Sequence, residues 1–80
     1  MKKISVQYFA VLKDLTRKTE EVIATSAVIA SELFKEICAR YHLTMPINQL
    51  RVAVNDDFCE WDYPLKDGDK IVFIPPVSGG

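Results

Sequence analysis

The sequence has little of what would assign it at once to a common class. Its 80 residues include two cysteines and one histidine, and the net charge at neutral pH is −1. Two cysteines do not make a disulfide framework. A nearly neutral chain lacks the basic face that nucleic-acid binding requires. No apolar stretch approaches the roughly 18 residues of a membrane span. These shortages argue against a disulfide-rich protein, a nucleic-acid-binding protein and a membrane-spanning protein.

The N-terminus also lacks the pattern of a secretory leader. Met1 to Ile4 leads directly into an alternating strand pattern, without the apolar region that a signal peptide carries. Together with the small number of cysteines, this predicts a cytoplasmic protein. What is present is a globular composition, with 49% hydrophobic and 26% charged residues. The length predicts one small domain over residues 1–80.

The hydrophobic pattern predicts five strands and one main helix. Strands are marked by alternation of apolar and polar side chains or by β-branched residues, and they cover residues 3–9, 20–24, 51–54, 58–61 and 70–74. The segment between the first two strands favours a loop with a helical turn. The order is therefore β-β-α-β-β-β. Since one helix covers one sheet, the predicted fold class is α+β, a mixed sheet packed on one amphipathic helix.

The main helix is identified by a change of period after the second strand. An apolar stripe at helical spacing runs through Ile29, Leu33, Phe34, Ile37, Cys38 and Tyr41. Thr25 and Ser26 are of the residue types that cap helix starts, so the helix is predicted to start there, although neither has Glu or Gln three positions on. It is expected to end near His42, ahead of Pro46.

The second face of the sheet carries three large apolar side chains. If each strand alternates regularly, Phe9, Phe58 and Ile74 all lie on the face that the helix does not cover. Single exposed hydrophobic residues are ordinary, whereas contiguous apolar patches mark interaction sites. Because all three residues are predicted to lie on the same face, a docking surface is favoured. Trp61 and Tyr63 are assigned neither to the core nor to this surface.

The last fourteen residues, DGDKIVFIPPVSGG, combine a turn, a strand, two prolines and an end without side chains. Gly68 accommodates the positive φ of a tight turn. Pro75 and Pro76 fix φ and lack an N–H, so the strand ends before them. Residues 75–80 are predicted to form an extended tail of about 20 Å, at roughly 3.3–3.6 Å per residue. Its glycine end suits entry into a partner's cleft; a frayed end without function is the alternative.

Three segments resemble one known family. They are YFAVLKDL at 8–15, VAVN at 52–55 and PLKDGDKIVFIPPVSGG at 64–80. Together they resemble the MoaD/ThiS family of sulfur carriers, which have the β-grasp or ubiquitin-like fold, and within that family the small subunits of molybdopterin synthase. A terminal Gly-Gly alone is weakly specific, whereas the whole terminal pattern is strongly specific. With the helix pattern, the resemblance spans essentially the whole chain.

The resemblance implies a mechanism that resides in the tail. A ubiquitin-activating-like adenylyltransferase would use ATP to adenylate the carboxylate of Gly80, and sulfur would replace the AMP to give a thiocarboxylate. The large subunit of molybdopterin synthase would receive the tail in a two-plus-two heterotetramer. Sulfur would then pass to precursor Z, a cyclic pyranopterin monophosphate, in molybdenum cofactor biosynthesis. The chain is thus expected to be a carrier subunit without catalytic activity, metal or permanently bound cofactor of its own.

The resemblance also assigns roles to individual residues. Gly79 and Gly80 correspond to the reactive end of the family. The positions that face the partner correspond to Phe9, Lys13, Phe58, Ile74, Pro75, Pro76, Val77 and Ser78. Three of them are the residues that strand alternation independently places on the open face of the sheet.

Other interpretations stay open at this point. A carrier for thiamine, cysteine or tRNA thiolation would use the same chemistry, a ubiquitin-like modifier would join Gly80 to lysines of target proteins, and a plain binding module would have an inert tail. Cys38 and Cys59 are predicted to be core residues rather than reactive thiols. His42 is predicted to lie at a helix end or on the surface. The aspartates near residues 56 and 68 fit turns better than a calcium-binding loop.

Overall fold

A computed structural model describes residues 1–44 and 46–74. The elements are β1 (Lys2–Tyr8), α1 (Val11–Thr16), β2 (Glu20–Thr25), α2 (Ala30–Tyr41), a 3-10 turn (Ile47–Gln49), β3 (Arg51–Val54), β4 (Asp57–Cys59) and β5 (Lys70–Ile74). The predicted bounds of β3 and β5 are confirmed, and those of the other strands differ by one or two residues at their ends. In this part of the chain no helix has the length and apolar character needed to cross a bilayer.

The five strands form one mixed sheet in the order β2-β1-β5-β3-β4. β1 and β5 are parallel neighbours at its centre, and the other three pairings are antiparallel. A parallel pair needs a long crossover connection, which the intervening chain provides. α2 packs on one face of the sheet. This is the β-grasp arrangement, so the predicted fold class is confirmed.

The core lies between α2 and the sheet and is closed at one end by aromatic rings. Phe73 of β5 is fully buried. Its ring centroid is 5.1 Å from that of Phe34 in α2 and 5.8 Å from that of Trp61, with the Trp61 ring stacked within 9° of parallel. Trp61 therefore belongs to the edge of the core, whereas Tyr63 is exposed.

The start of α2 differs from the prediction. Thr25 is the last residue of β2, where it is buried and hydrogen-bonded, and Ser26 lies before the helix. The helix begins at Ala30, with Ile29 as its N-cap residue. Because Ile29 has no side-chain oxygen, only half of a capping box forms: the Glu32 carboxylate accepts a hydrogen bond from the Ile29 N–H at 3.3 Å. Burial in the sheet has outweighed the capping preference of threonine.

A group of polar side chains around Glu21 fastens α2 to the edge of the sheet. The hydroxyls of Tyr8 and Tyr41 both donate to Oε2 of Glu21, and the Lys18 ammonium lies 3.3 Å from Oε1. Burial raises the pKa of Tyr8, and its hydrogen bond to Glu21 raises that pKa further. Partial burial acts to raise the pKa of Glu21, but the hydrogen bonds from Tyr41, Tyr8 and Lys18 outweigh it, so that this pKa is lowered. These four residues are called the Glu21 cluster below.

Candidate functional site

A shallow cleft lies on the face of the sheet opposite α2 and is called the sheet cleft below. Its volume is about 220 Å³, and it is lined by Gln7, Phe9, Ala53, Asp56, Phe58, Val72 and Ile74. The lining is apolar apart from Gln7 and Asp56. This lining arises because side chains alternate along each strand, so that one set enters the core and the other set faces outward.

Strand register assembles this lining into a row across the sheet. Gln7 of β1 is opposite Val72 of β5. Val72 is in turn opposite Ala53 of β3, and Ala53 is opposite Phe58 of β4. Ile74 lies two residues beyond Val72, hence on the same face, and it is the last residue of β5. The cleft is therefore built on four hydrogen-bonded strands and reaches the point where the central strand ends.

The apolar side chains of the cleft are substantially exposed. Phe58 is 61% exposed and Phe9 is 45% exposed, while Ile74 is half-buried. The structure brings these three residues together on one face, as strand alternation predicts. An isolated exposed phenylalanine would need no explanation, but several in one cleft form the kind of patch that partners cover. Their role in partner binding stays a prediction.

The turn before β5 fixes where this strand begins. Gly68 has a φ of +90°. The carboxylate of Asp69 accepts hydrogen bonds from a backbone N–H of the same turn at 2.8 Å and from the Asn55 amide at 3.0 Å. The side-chain oxygen of Asn55 accepts from the Lys70 N–H at 3.1 Å. These bonds join the end of β3 to the start of β5, while Ile74, at the other end of β5, pairs with Arg51 of β3.

The other predicted site residues lie elsewhere. Lys13 is exposed on α1 and lines a separate hollow of about 270 Å³ that also contains Arg17 and Lys18. Its contact with a partner stays a prediction. The tail residues assigned to the site lie outside the described part of the chain: Pro75, Pro76, Val77, Ser78, Gly79 and Gly80. The reactive end is therefore a prediction from the sequence.

The residues that the sequence predicts to be structural lie against the core or at a helix end. Cys38 and Cys59 are partly buried against the core, and burial raises the pKa of both thiols. His42 caps the end of α2 with a φ of 57°, and its N–H donates to the carbonyl of Cys38, so the helix-end prediction is confirmed. Within residues 1–44 and 46–74, no three His, Cys, Asp or Glu side chains are grouped to hold a metal ion.

Sequence reasoning missed one charged residue beside the cleft. The guanidinium carbon of Arg51 lies 4.5 Å from the centroid of the Phe58 ring. Arg51 is two residues before Ala53 in β3, so both point to the open face. The same alternation that identified Phe58 was thus available for Arg51. The Glu21 cluster had no comparable signal, since its members come from β1, β2, α2 and the loop before β2.

Comparison with known proteins relates nearly the whole chain to one family. The family described as "ThiS family" matches residues 6–80. The molybdopterin synthase sulfur carrier subunit of Escherichia coli is 32% identical over 80 residues, which cover 96% of this chain and 99% of that protein. The residues that the family matches include every residue that lines the sheet cleft.

Solved structures agree with this relationship. A protein from Pyrococcus furiosus, named for subunit 1 of molybdopterin converting factor, has a TM-score of 0.79 at 30% identity, over 96% of this chain and 100% of its own. A chain in the complex of subunits 1 and 2 of molybdopterin-converting factor from Helicobacter pylori has a TM-score of 0.69 at 29% identity, over 98% of this chain and 99% of its own. This chain therefore belongs to the ThiS family, as a homologue of the molybdopterin synthase sulfur carrier subunits.

Proposed function

We propose that this chain is the sulfur-carrier small subunit of a molybdopterin synthase. The observation that carries the proposal is the position of Ile74, which ends β5 at the sheet cleft and directly precedes PPVSGG in the sequence. A partner that covers the cleft therefore also meets the start of the tail. The family relationship supports the same function, because a relative that matches almost the whole chain is a sulfur carrier subunit of this synthase.

The tail undergoes the chemistry in this proposal. A free carboxylate is a poor electrophile, so an activating enzyme first joins the Gly80 carboxylate to AMP, consuming ATP and releasing pyrophosphate. A sulfur donor then displaces AMP, which leaves Gly80 with a thiocarboxylate. The nucleophilic sulfur forms a bond to a carbon of precursor Z as an oxygen substituent leaves that carbon, and water then cleaves the acyl–sulfur bond to restore the carboxylate. ATP is a substrate of the activating enzyme, and we assign no resident cofactor to this chain.

The tail sequence suits entry into an active site. Gly79 and Gly80 carry no side chains, so an enzyme can approach their backbone closely. Pro75 and Pro76 restrict φ, which reduces the conformational entropy that the tail loses when it is bound. Val77 and Ser78 lie between the prolines and the glycines, and we assign them to contacts with the enzyme. No residue of the tail is required to act as an acid or a base.

The proposed partners are the large synthase subunit and the adenylyltransferase that activates Gly80. The Helicobacter pylori structure is a complex of the two subunits of molybdopterin-converting factor, which supports the first pairing. The stoichiometry that we propose, a two-plus-two heterotetramer, rests on the family resemblance alone. Phe9, Phe58 and Ile74 would supply the apolar centre of the interface, and Lys13 would meet acidic groups at its rim. Because the partners act on the tail, the carrier is a protein substrate rather than a catalyst. Because activation would consume ATP, we propose that the chain acts in the cytoplasm.

Intact mass spectrometry tests the carrier chemistry directly. The chain is incubated with ATP, the activating enzyme and a sulfur donor, and its mass is compared with that of untreated protein. The proposal predicts a species heavier by the exchange of one oxygen for one sulfur, with the added mass localised to Gly80 by fragmentation. A chain that lacks Gly79 and Gly80 is the matched control. It retains β5 and the sheet cleft but has no Gly80 carboxylate to activate, so it should stay unmodified.

The result separates the proposal from the alternatives. An unmodified full-length chain under these conditions would contradict the carrier function. Isopeptide-linked adducts between Gly80 and lysines of other proteins would identify a modifier instead. If the thiocarboxylate forms, adding the large synthase subunit and precursor Z should consume it. A thiocarboxylate that this subunit neither binds nor consumes would point to a carrier for another thiolation pathway.

A further inference from the structure

Arg51 lies beside the sheet cleft, between two residues already assigned to the docking surface. In the pairing of β3 with β5, Arg51 is opposite Ile74. In the pairing of β3 with β4, its neighbour on the same face, Ala53, is opposite Phe58. Arg51 thus lies beside the end of β5 and diagonally across from Phe58. Within the open face, it is a cation placed next to the last strand residue before the tail.

The guanidinium of Arg51 is held in position by an aromatic ring. Its central carbon is 4.5 Å from the Phe58 centroid, which is within the range of a cation–π contact. Stacking of this kind uses the flat face of the guanidinium and leaves the N–H groups at its edge directed away from the ring. Arg51 is exposed and forms no side-chain hydrogen bond or ion pair with any residue in the described part of the chain.

Docking of a partner changes the surroundings of this cation. A protein that covers Phe58 and Ile74 removes water from Arg51 as well, because the three side chains are adjacent. A desolvated charge without an acceptor is strongly unfavourable. Asp56, the acidic residue that lines the cleft, makes no ion pair with Arg51. Since no carboxylate in the described part of the chain pairs with Arg51, we expect the acceptor to come from the partner, and a carboxylate fits the planar, two-pronged donor geometry of arginine.

We propose that Arg51 is a specificity-determining residue of docking, and that the large synthase subunit places an aspartate or glutamate carboxylate against its guanidinium. The inference rests on the proposed function, since it requires a partner on the sheet cleft. The ion pair would lie beside an apolar contact, where little water remains. In that position a partner without the matching charge is most strongly disfavoured. A competing protein with an apolar surface but no carboxylate at this point would leave Arg51 buried and unpaired.

Binding of the purified large synthase subunit, measured by calorimetry, tests the role of Arg51. Arg51→Met keeps a long side chain to cover Phe58 but removes the charge and the donors. It should weaken binding about thirty-fold or more, the loss expected when one partner of a buried charge pair is removed. Arg51→Lys keeps the charge but lacks the two parallel N–H donors of the guanidinium. Its affinity should lie between those of the wild type and Arg51→Met. Lys35→Ala, an exposed cation on α2 away from the cleft, is the matched control and should bind like the wild type.

A double-mutant cycle identifies the partner's carboxylate. Each acidic residue of the large subunit's docking surface is changed to its amide and measured against both the wild-type chain and Arg51→Met. One acidic residue should show coupling, so that Arg51→Met costs much less affinity once that carboxylate is gone. If Arg51→Met binds like the wild type, or if its loss is the same against every amide variant, the proposed ion pair does not exist.

Phe58→Asp separates failure of this inference from failure of the proposed docking. If Phe58→Asp prevents binding while Arg51→Met has no effect, the cleft is the docking surface but the carboxylate pairing is wrong. If neither change weakens binding, the partner does not use the cleft, and the proposed function loses its structural support. Both side chains are exposed in the isolated chain, so each variant should retain the thermal unfolding midpoint of the wild type to within a few degrees, which is measured in parallel.

Discussion

Replacement of Tyr8 by phenylalanine removes one hydroxyl from the Glu21 cluster and leaves the ring in place. Tyr8 is 1% exposed, and its hydroxyl donates to Glu21 at 2.7 Å. Hydrogen bonds to charged groups contribute about 1.5–3 kcal/mol. Tyr41 still donates to the same oxygen of Glu21 in the variant, so the carboxylate keeps a partner. The expected loss of unfolding free energy is therefore near the lower limit, about 1.5–2 kcal/mol.

A loss of this size is large for such a small domain. At about 0.05–0.15 kcal/mol per residue, 80 residues correspond to a total stability of about 4–12 kcal/mol. For domains of this length, 1 kcal/mol shifts the midpoint of thermal unfolding by about 4–8 °C, so Tyr8→Phe should lower it by about 6–16 °C. Tyr41→Phe is the matched comparison. Because Tyr41 is only half-buried, water can replace its hydroxyl, and the loss should be about 0.5–1 kcal/mol.

Urea denaturation at pH 7, with thermal unfolding in parallel, measures both variants. The order of the two losses matters more than their absolute size. A Tyr8→Phe variant within 0.5 kcal/mol of the wild type, or one less destabilised than Tyr41→Phe, would show that burial does not strengthen this hydrogen bond. Tyr8 points away from the sheet cleft, towards α2, so affinity for the large subunit should be unchanged in the folded variant.

Two further predictions concern stability. The folded-state pKa of Glu21 is below its ordinary value of 4.5, so its charge stabilises the fold above about pH 4.5 and this contribution is lost as pH falls through the folded-state pKa. The difference in urea midpoint between the wild type and Glu21→Gln should therefore shrink below pH 4.5; a constant difference from pH 7 to pH 3 would refute it. Gly68→Ala should cost about 1–2 kcal/mol, because a Cβ would have open space and only the φ of +90° is unfavourable. Asn in that position should cost less than Ala, and equal losses would contradict the conformational explanation.

Much of the fold follows from local pattern. β3 and β5 were predicted with their full bounds because β-branched residues lie between strong turn signals, Asn55 after β3 and Gly68 before β5. Strand alternation also placed Phe9 and Phe58 on the same face without knowledge of strand order. That inference needs only the period of two, since every strand of one sheet shares the same two faces.

The features that were missed depend on contacts between distant segments. Thr25 looks like a helix cap in sequence, but in the fold its hydroxyl donates to Glu36 of α2 and its backbone completes β2. Glu21 acquires its two tyrosine donors only when β1, β2 and α2 meet. Arg51 contacts the Phe58 ring only once β4 has paired with β3. Pattern identifies which side a residue faces, whereas its partner across the sheet depends on the tertiary fold.

The position of β5 has a consequence for how the protein is made. β5 lies between β1 and β3, and both of these strands precede it in the chain. During synthesis on the ribosome, the strand pairs available before β5 emerges are therefore β1 with β2 and β3 with β4, and the inner edges of these two pairs have no partner. Only the arrival of β5 joins them, and the residues that follow it are those of the tail. A prematurely terminated chain would thus lack both the complete surface that we propose for docking and the proposed sulfur-accepting end, so defective copies should not compete with complete chains for the partner.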